Sequence, residues 1–257
     1  MKISIITATY NSGATLRDTL ESVLSQTYKD FEHIIIDGLS SDDTMAVVRE
    51  YEPRYGGRLR YISERDGGLY DAMNKGISMA VGDVVGILNS DDIYYDKYAL
   101  KRIADAIMLF DTDIVYGDLE FVDSTDLNRR VRFWNGSQHT PGAFLKGWHP
   151  AHPTFYAKKD CYTRFGGFDT SFDVSADFEL MLRFIETNSI SNTYIPNILI
   201  KMRMGGESTG SIKKIIQGNR NVLRAFVKNG FKAPPFYLMR RLVPKAINMI
   251  KTKIHLL

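Results

Sequence analysis

The chain has one cysteine, Cys161, in 257 residues. A single thiol excludes an internal disulfide framework and any four-cysteine zinc site, and it fits a reducing compartment. No apolar run approaches the roughly 20 residues that cross a bilayer. The opening MKISIITATYN has one lysine and only a brief apolar stretch. That is less than a signal-peptide core requires, so the expected location is the cytoplasm. Internal repeats and low-complexity tracts are also missing. Acidic residues stop at Glu207: the remaining segment carries eleven lysines and arginines and no Asp or Glu. The net charge of +3 therefore combines an acidic body with a strongly basic tail.

What is present suits an ordinary globular protein with one sizeable core: 44% hydrophobic and 25% charged residues. Lys2 to Thr9, Phe31 to Ile36, Leu59 to Ser63 and Val84 to Leu88 read as buried strands. Helical patterns separate them: Leu16 to Leu24, a segment bearing Val47 and Val48, and Leu69 to Ala80. A helix from Lys97 to Leu109 and a strand Ile114 to Tyr116 follow. Strand–helix alternation predicts a mainly parallel sheet covered by helices on both faces. Residues 118–135 read as a hairpin and 136–153 as a mobile loop. Val174 to Glu186 reads as a helix and Tyr194 to Met202 as a strand. Basic helices broken at Pro234-Pro235 finish the chain.

Ligands of such sheets bind beyond the carboxyl ends of the strands. Four polar clusters fall there: Tyr10-Asn11, Asp37, Glu64 to Asp66, and Asp91-Asp92. Two adjacent carboxylates suit Mg²⁺ or Mn²⁺, hard cations that share their coordination with phosphate oxygens; they also suit a plain helix or turn cap. Asp66, Asp71, Asn74 and Lys75 surround a helix start, which favours anions; an exposed amphipathic helix with Tyr70, Met73 and Ile77 buried explains Lys75 equally, whereas Asp66 lies just after a strand and before two glycines. His149 and His152 lie three apart with no third soft ligand for zinc. Trp134 and Trp148 can stack on sugars, but burial is their usual fate.

The order of these motifs resembles the family 2 glycosyltransferases. SIITATYN is similar to the family's first strand and Tyr-Asn turn, and SQTYKDFEHIIIDGLSSDDT to its second strand and acidic turn. NKGISMAVGDVVGILNSDD is similar to its paired-acid strand, and SADFELMLR to its late acidic helix. The likeness covers about Lys2 to Ser208. SERDGGLYDAMNKG and KMRMGGEST are similar to a bacterial colanic-acid or exopolysaccharide subgroup.

The resemblance implies a GT-A fold over residues 1–208, with a nucleotide-sugar half (1–117), an acceptor half (118–208) and a basic helical tail (209–257). It implies inverting sugar transfer from a nucleoside diphosphate donor to a glycan hydroxyl, on a lipid-diphosphate-linked acceptor, in bacterial surface polysaccharide synthesis. Asp92 would bind Mg²⁺ or Mn²⁺ and Asp91 the donor ribose or the metal. Ala8, Tyr10, Asp37, Asp66, Asn74 and Lys75 would meet the donor. Asp177 would be the catalytic base, Ala176 standing where the family often has Glu. Gly38 likewise replaces a second acid beside Asp37, which leaves uridine and guanosine both open. His152, Arg203 and Glu207 would face the acceptor. In many relatives a His after the late Arg completes the metal site; here Met204 follows Arg203.

Two rival classes are a nucleotidyltransferase and a non-catalytic nucleotide- or glycan-binding module. The first would want a Gly-rich, Lys-bearing phosphate loop, whereas TATYNSG has one glycine and no lysine. Nucleic acid is not expected, because no recognition motif accompanies the charge. The tail from Phe236 to Leu257 alternates apolar residues with cations. It reads either as a helix lying on the anionic inner face of the membrane or as one packed on the acidic body.

Overall fold

The structure is a computed structural model that describes residues 1–205 and 212–239. Glu207, Ser208 and most of the expected tail helix lie outside the described residues. The first strand, β1 (Ile3–Thr9), shows how the sheet is made: all seven residues are buried. Ile3 and Ile5 enter one core and Ile6 and Ala8 the other, because successive strand side chains point to opposite faces. β2 (Phe31–Asp37) does the same, with Ile35 on one side and Ile34 and Ile36 on the other.

Helices α1 (Leu16–Leu24), α2 (Thr44–Tyr51) and α4 (Ala99–Phe110) cover the Ile3–Ile5 face. α3 (Leu69–Met79), α6 (Ala176–Leu182) and α7 (Ile212–Lys228) cover the other. β3 (Leu59–Ser63), β2, β1 and β4 (Val84–Ile87) run parallel, as the alternation predicts.

Beyond β4 the sheet departs from the parallel expectation. β8 (Tyr156–Lys158) pairs antiparallel with β4, and β6 (Ile114–Val122) antiparallel with β8. β9 (Asn192–Arg203) then lies parallel to β6, and β5 (Ile93–Tyr94) antiparallel to β9. β7 (Arg130–Trp134) forms the expected hairpin with β6. The three-residue β8, the two-residue β5 and the short α5 (Lys159–Phe165) were not visible in the sequence. They are shorter than the period needed to distinguish strand from helix. The expected boundary at residue 117 falls inside β6. The predicted helix 174–186 begins at Ala176 and continues beyond Leu182 as a wider turn, Arg183–Thr187.

The parallel and antiparallel parts meet where Gly86 faces Tyr156. A Cβ on Gly86 would stand 1.9 Å from the Tyr156 ring. The ring itself is fixed by a 2.7 Å hydroxyl contact with Tyr94. The 136–153 segment packs through Phe144 and Trp148: Trp148 lies against Tyr116, His139 and Phe144, and Trp134 stacks on Phe121. Gly86→Ala should therefore cost about 2 kcal/mol or more and lower Tm by about 5 °C. Thermal and urea unfolding measure it, and an unchanged Tm would mean that Tyr156 gives way freely.

Candidate active site

The carboxyl ends of β1, β2, β3 and β4 share one edge, and their turns are tied to one another. Asn11, in the left-handed region at φ 49°, accepts the Ser41 N–H at 2.9 Å, and its own N–H donates to Ser40 Oγ at 2.8 Å. Asparagine tolerates that conformation better than most residues. Ser12 Oγ contacts Ser90 Oγ at 2.9 Å, and Thr15 Oγ1 donates to the Ser90 carbonyl at 3.0 Å. The Tyr-Asn turn, the β2 turn and the acid loop thus form one rim. Tyr10 stands out from it, 67% exposed, whereas Ala8 is buried in the core.

The two adjacent acids have different surroundings. Asp92 is completely buried. Its Oδ2 accepts the Asn89 amide at 2.8 Å and its Oδ1 the Arg203 backbone N–H at 3.2 Å. Asp91 is only partly buried. Burial raises the pKa of both carboxyls, and Asp92 is pushed well above the usual range by burial and then by the neighbouring Asp91 charge. Arg203, 7% exposed at the end of β9, holds this loop from behind. Its guanidinium donates to the Asp91 carbonyl at 2.9 Å, to the Ser124 carbonyl at 3.0 Å, and to Asp18. Arg203 thus braces the acid loop.

Three expected donor contacts are engaged by the protein itself. Asp37 is fully buried, and its carboxylate accepts from Ser40 Oγ, the Ser40 N–H and Ser63 Oγ. Asn74 makes a two-way clasp with the Phe168 backbone, 2.8 Å in each direction. Lys75 pairs with Glu64 at 2.8 Å and donates to the Arg65 carbonyl at 2.9 Å. Asp37 is met mainly by hydroxyls, Asn74 by a backbone pair 94 positions away, and Lys75 by a carboxylate and a carbonyl.

Asp66 is arranged differently. Its Oδ1 accepts the Gly68 N–H at 2.9 Å, while its Oδ2 lies 2.6 Å from where a Cβ on Gly38 would be. Gly38 is thus a space-making glycine. The missing acid at 38 is replaced in space by the Asp66 carboxylate, with the Tyr10 ring 3.5 Å from the same point.

On the other side of the edge, Asp177 occupies the first turn of α6, where the helix dipole favours a carboxylate. The preceding Ser175 is in the left-handed region at φ 69°. Tyr70 of α3 donates its hydroxyl to Asp177 Oδ1 at 3.3 Å. Burial and then the Asp177 charge raise the Tyr70 pKa, so the phenol stays protonated as a donor. The Tyr70 ring stacks on Phe168 at 5.5 Å, and Phe168 meets the His152 ring edge-on at 5.6 Å. Burial lowers the His152 pKa and the Asp177 charge opposes it. His152, Asp177 and Tyr70 therefore form one cluster. The sequence reading placed Tyr70 on a buried helix face and missed this contact; the Tyr spacing alone carries no signal for it.

Residues 4–160 match the glycosyl transferase family 2 domain, and the chain belongs to that family. A PGL/p-HBAD biosynthesis glycosyltransferase of Mycobacterium tuberculosis is 29% identical over 213 residues, 82% of this chain and 80% of that protein. An uncharacterized glycosyltransferase of the same organism is 31% identical over 197 residues, 70% of this chain and 68% of the relative. Among solved structures, Staphylococcus aureus TarS 1-349 in complex with UDP-GlcNAc has a TM-score of 0.67 at 19% identity, covering 88% of this chain and 67% of that one. The mannosyltransferase PcManGT from Pyrobaculum calidifontis, with GDP-Man and Mn²⁺, has a TM-score of 0.65 at 20% identity, covering 93% and 67%. The fold is GT-A-like, and the chain is a glycosyltransferase.

Among the described residues no three His, Cys, Asp or Glu side chains gather as a metal-binding group. One partly exposed carboxylate beside an open edge still fits Mg²⁺ or Mn²⁺, which take one or two carboxylates and complete the shell with water and phosphate.

The raised pKa of Asp91 has a definite sign. Its ionised form is disfavoured in the fold, so its cost to stability is present at neutral pH and disappears as pH falls back through the raised folded value. Asp91→Asn should therefore raise Tm at pH 7, with the gain shrinking as pH is lowered toward about 4. Calorimetry across that range checks it; a gain independent of pH would overturn it. Asn74→Ala should destabilise by about 2 kcal/mol with donor affinity unchanged, since it leaves the Phe168 backbone pair unmet.

Proposed function

We propose that the protein transfers a sugar from a nucleoside diphosphate donor to a hydroxyl of a glycan, with inversion at the anomeric carbon. The observation that carries this reading is the Tyr70–Asp177 contact. It joins a carboxylate at the start of α6 to the helix that follows the turn Asp66-Gly67-Gly68, which supports an acceptor beside Asp177 and a donor beside that turn. With Oδ1 engaged by the phenol, Asp177 Oδ2 is the base that takes the acceptor proton. The acceptor oxygen bonds to the anomeric carbon as the bond to the diphosphate breaks, and the bonding electron pair leaves with the nucleoside diphosphate. Tyr70 is a positioning residue for that base.

On the donor side, the roles of the paired acids are best exchanged relative to the sequence expectation. Asp91 is the partly exposed carboxylate and is proposed to hold Mg²⁺ or Mn²⁺; the buried Asp92 shapes the loop through Asn89 and Arg203. A bound cation would supply Lewis-acid stabilisation of charge on the departing diphosphate. Tyr10 and Asp66 are proposed to face the nucleobase. A carboxylate accepts hydrogen bonds only, which suits the ring N–H of uracil or guanine. TarS with UDP-GlcNAc and PcManGT with GDP-Man support both bases as choices. Asp37 supports the same pocket by fixing Ser40 and Ser63, and Lys75 supports it by holding the Arg65 turn. His152 is proposed to meet the acceptor, a reading its nearness to the Tyr70–Asp177 pair supports.

A lipid-linked acceptor at the inner membrane face and a place in surface polysaccharide synthesis complete the reading. The mycobacterial relative named for PGL/p-HBAD biosynthesis supports a bacterial glycoconjugate without choosing the exopolysaccharide subgroup.

A panel of nucleotide sugars with and without Mn²⁺ tests the activity, with release of nucleoside diphosphate as the readout. Release of inorganic diphosphate from a nucleoside triphosphate would instead point to nucleotidyl transfer. Asp177→Asn should lower kcat by about 100-fold or more while donor still binds. Tyr70→Phe should lower kcat several-fold with donor KM and Tm unchanged. Wild-type turnover in Asp177→Asn would place the base elsewhere.

A further inference from the structure

α7 has apolar residues both on its buried face and on a stripe open to solvent. On the buried face, Val222, Ala225 and Phe226 are fully buried, with Phe226 meeting Phe178 of α6 edge-on at 5.6 Å. Elsewhere on the helix Ile216, Arg220 and Val227, spaced by four and seven, share one stripe, while Leu223 beside them is packed in part on the core. Ile216 is 49% and Val227 73% exposed. Past the helix, Phe236 and Met239 are exposed as well. A helix on a globular protein ordinarily turns charged and polar residues to that side.

The charged side chains of α7 and of the segment after it are all cationic. Arg220 and Lys232 are exposed, and no acid follows Glu207 in the sequence. Two copies of such a surface would repel each other. Exposed apolar side chains set among cations match the headgroup boundary of an anionic bilayer, where the former enter and the latter meet phosphate.

We propose that the outer stripe of α7, with Phe236 and Met239, is a docking surface for an anionic membrane. The proposal gives a partner to the lipid-linked acceptor inferred above and rests on that reading for its purpose. The inner face of the same helix is tied to the loop that leads to Asp177. Lys228 pairs with Asp169, Arg224 donates to Ser171, and Asn221 donates to Asp173 at 2.8 Å and to the Val174 carbonyl at 2.7 Å. Ser175 Oγ donates to the Gly218 carbonyl at 3.4 Å. The helix that meets the lipid therefore also sets the base, which keeps Asp177 at a fixed position relative to the bilayer.

The test is co-sedimentation of the full chain with vesicles. Wild type should bind vesicles containing phosphatidylglycerol, bind less as salt is raised, and ignore pure phosphatidylcholine. Ile216→Glu with Val227→Glu should reduce partitioning by about tenfold or more, with Tm and lipid-free donor turnover unchanged. Arg220→Glu with Lys232→Glu should do the same. Wild type that ignores anionic vesicles, or variants that bind as well as wild type, would overturn the proposal; so would a wild-type dimer that the first variant splits. If no donor is ever turned over, the proposed activity fails and the vesicle result stands by itself. If transfer proceeds while vesicles are ignored, only the docking surface fails.

Discussion

Arg203 is the side chain on which the acid loop depends. It arrives at the end of β9, which pairs with β6 over nine register positions from Ile114↔Asn192 to Val122↔Arg203. From there one buried guanidinium reaches the loop carbonyl of Asp91, Asp18 at the start of α1, and Ser124 in the hairpin turn. Arginine suits this because its planar fork serves several acceptors at once. The backbone N–H of the same residue meets Asp92. Two neighbouring carboxylates against a sealed core would be costly if unpartnered. Here Asp92 is partnered by the Asn89 amide and the Arg203 N–H, and Asp91 is partly exposed, so the polar groups are already oriented before any ligand arrives.

The second constraint is the joint between the two halves of the sheet. Gly86 lets Tyr156 lie against β4, and this close approach brings β8 and β6 alongside the parallel strands. The Asn74–Phe168 clasp then draws the loop before α6 onto α3. Phe168 stacks on Tyr70, and Tyr70 reaches Asp177. A residue first read as a donor ligand thus becomes the link that lets the donor side and the acceptor side share one edge. Its distance from the chemistry does not reduce its effect, since misplacing a reacting group by about 1 Å can cost two orders of magnitude in rate.

Much of the architecture was legible in the amino-acid order. β1 to β4 and α1 to α4 announce themselves by apolar period, with turns at Ser12-Gly13, Gly67-Gly68 and Gly82. The family likewise stands out, because four motifs in the right order are hard to obtain by chance. The antiparallel strands β5 and β8 were not legible. They are two and three residues long and exist by pairing with distant segments, a property that local sequence does not carry.

By itself the sequence determined the hydrophobic periodicity, the acids at strand ends and the one-signed charge after Glu207, since each is a property of neighbours along the chain. Which acid is sealed and which is open was decided by tertiary structure alone. So were the hydrogen-bond partners of Asp37, Asn74 and Lys75, the approach of Asp66 to the space that Gly38 leaves, and the pairing of Tyr70 with Asp177 across 107 positions. Burial and hydrogen-bond partners belong to the space around a side chain, and that space is filled by residues far away in the chain.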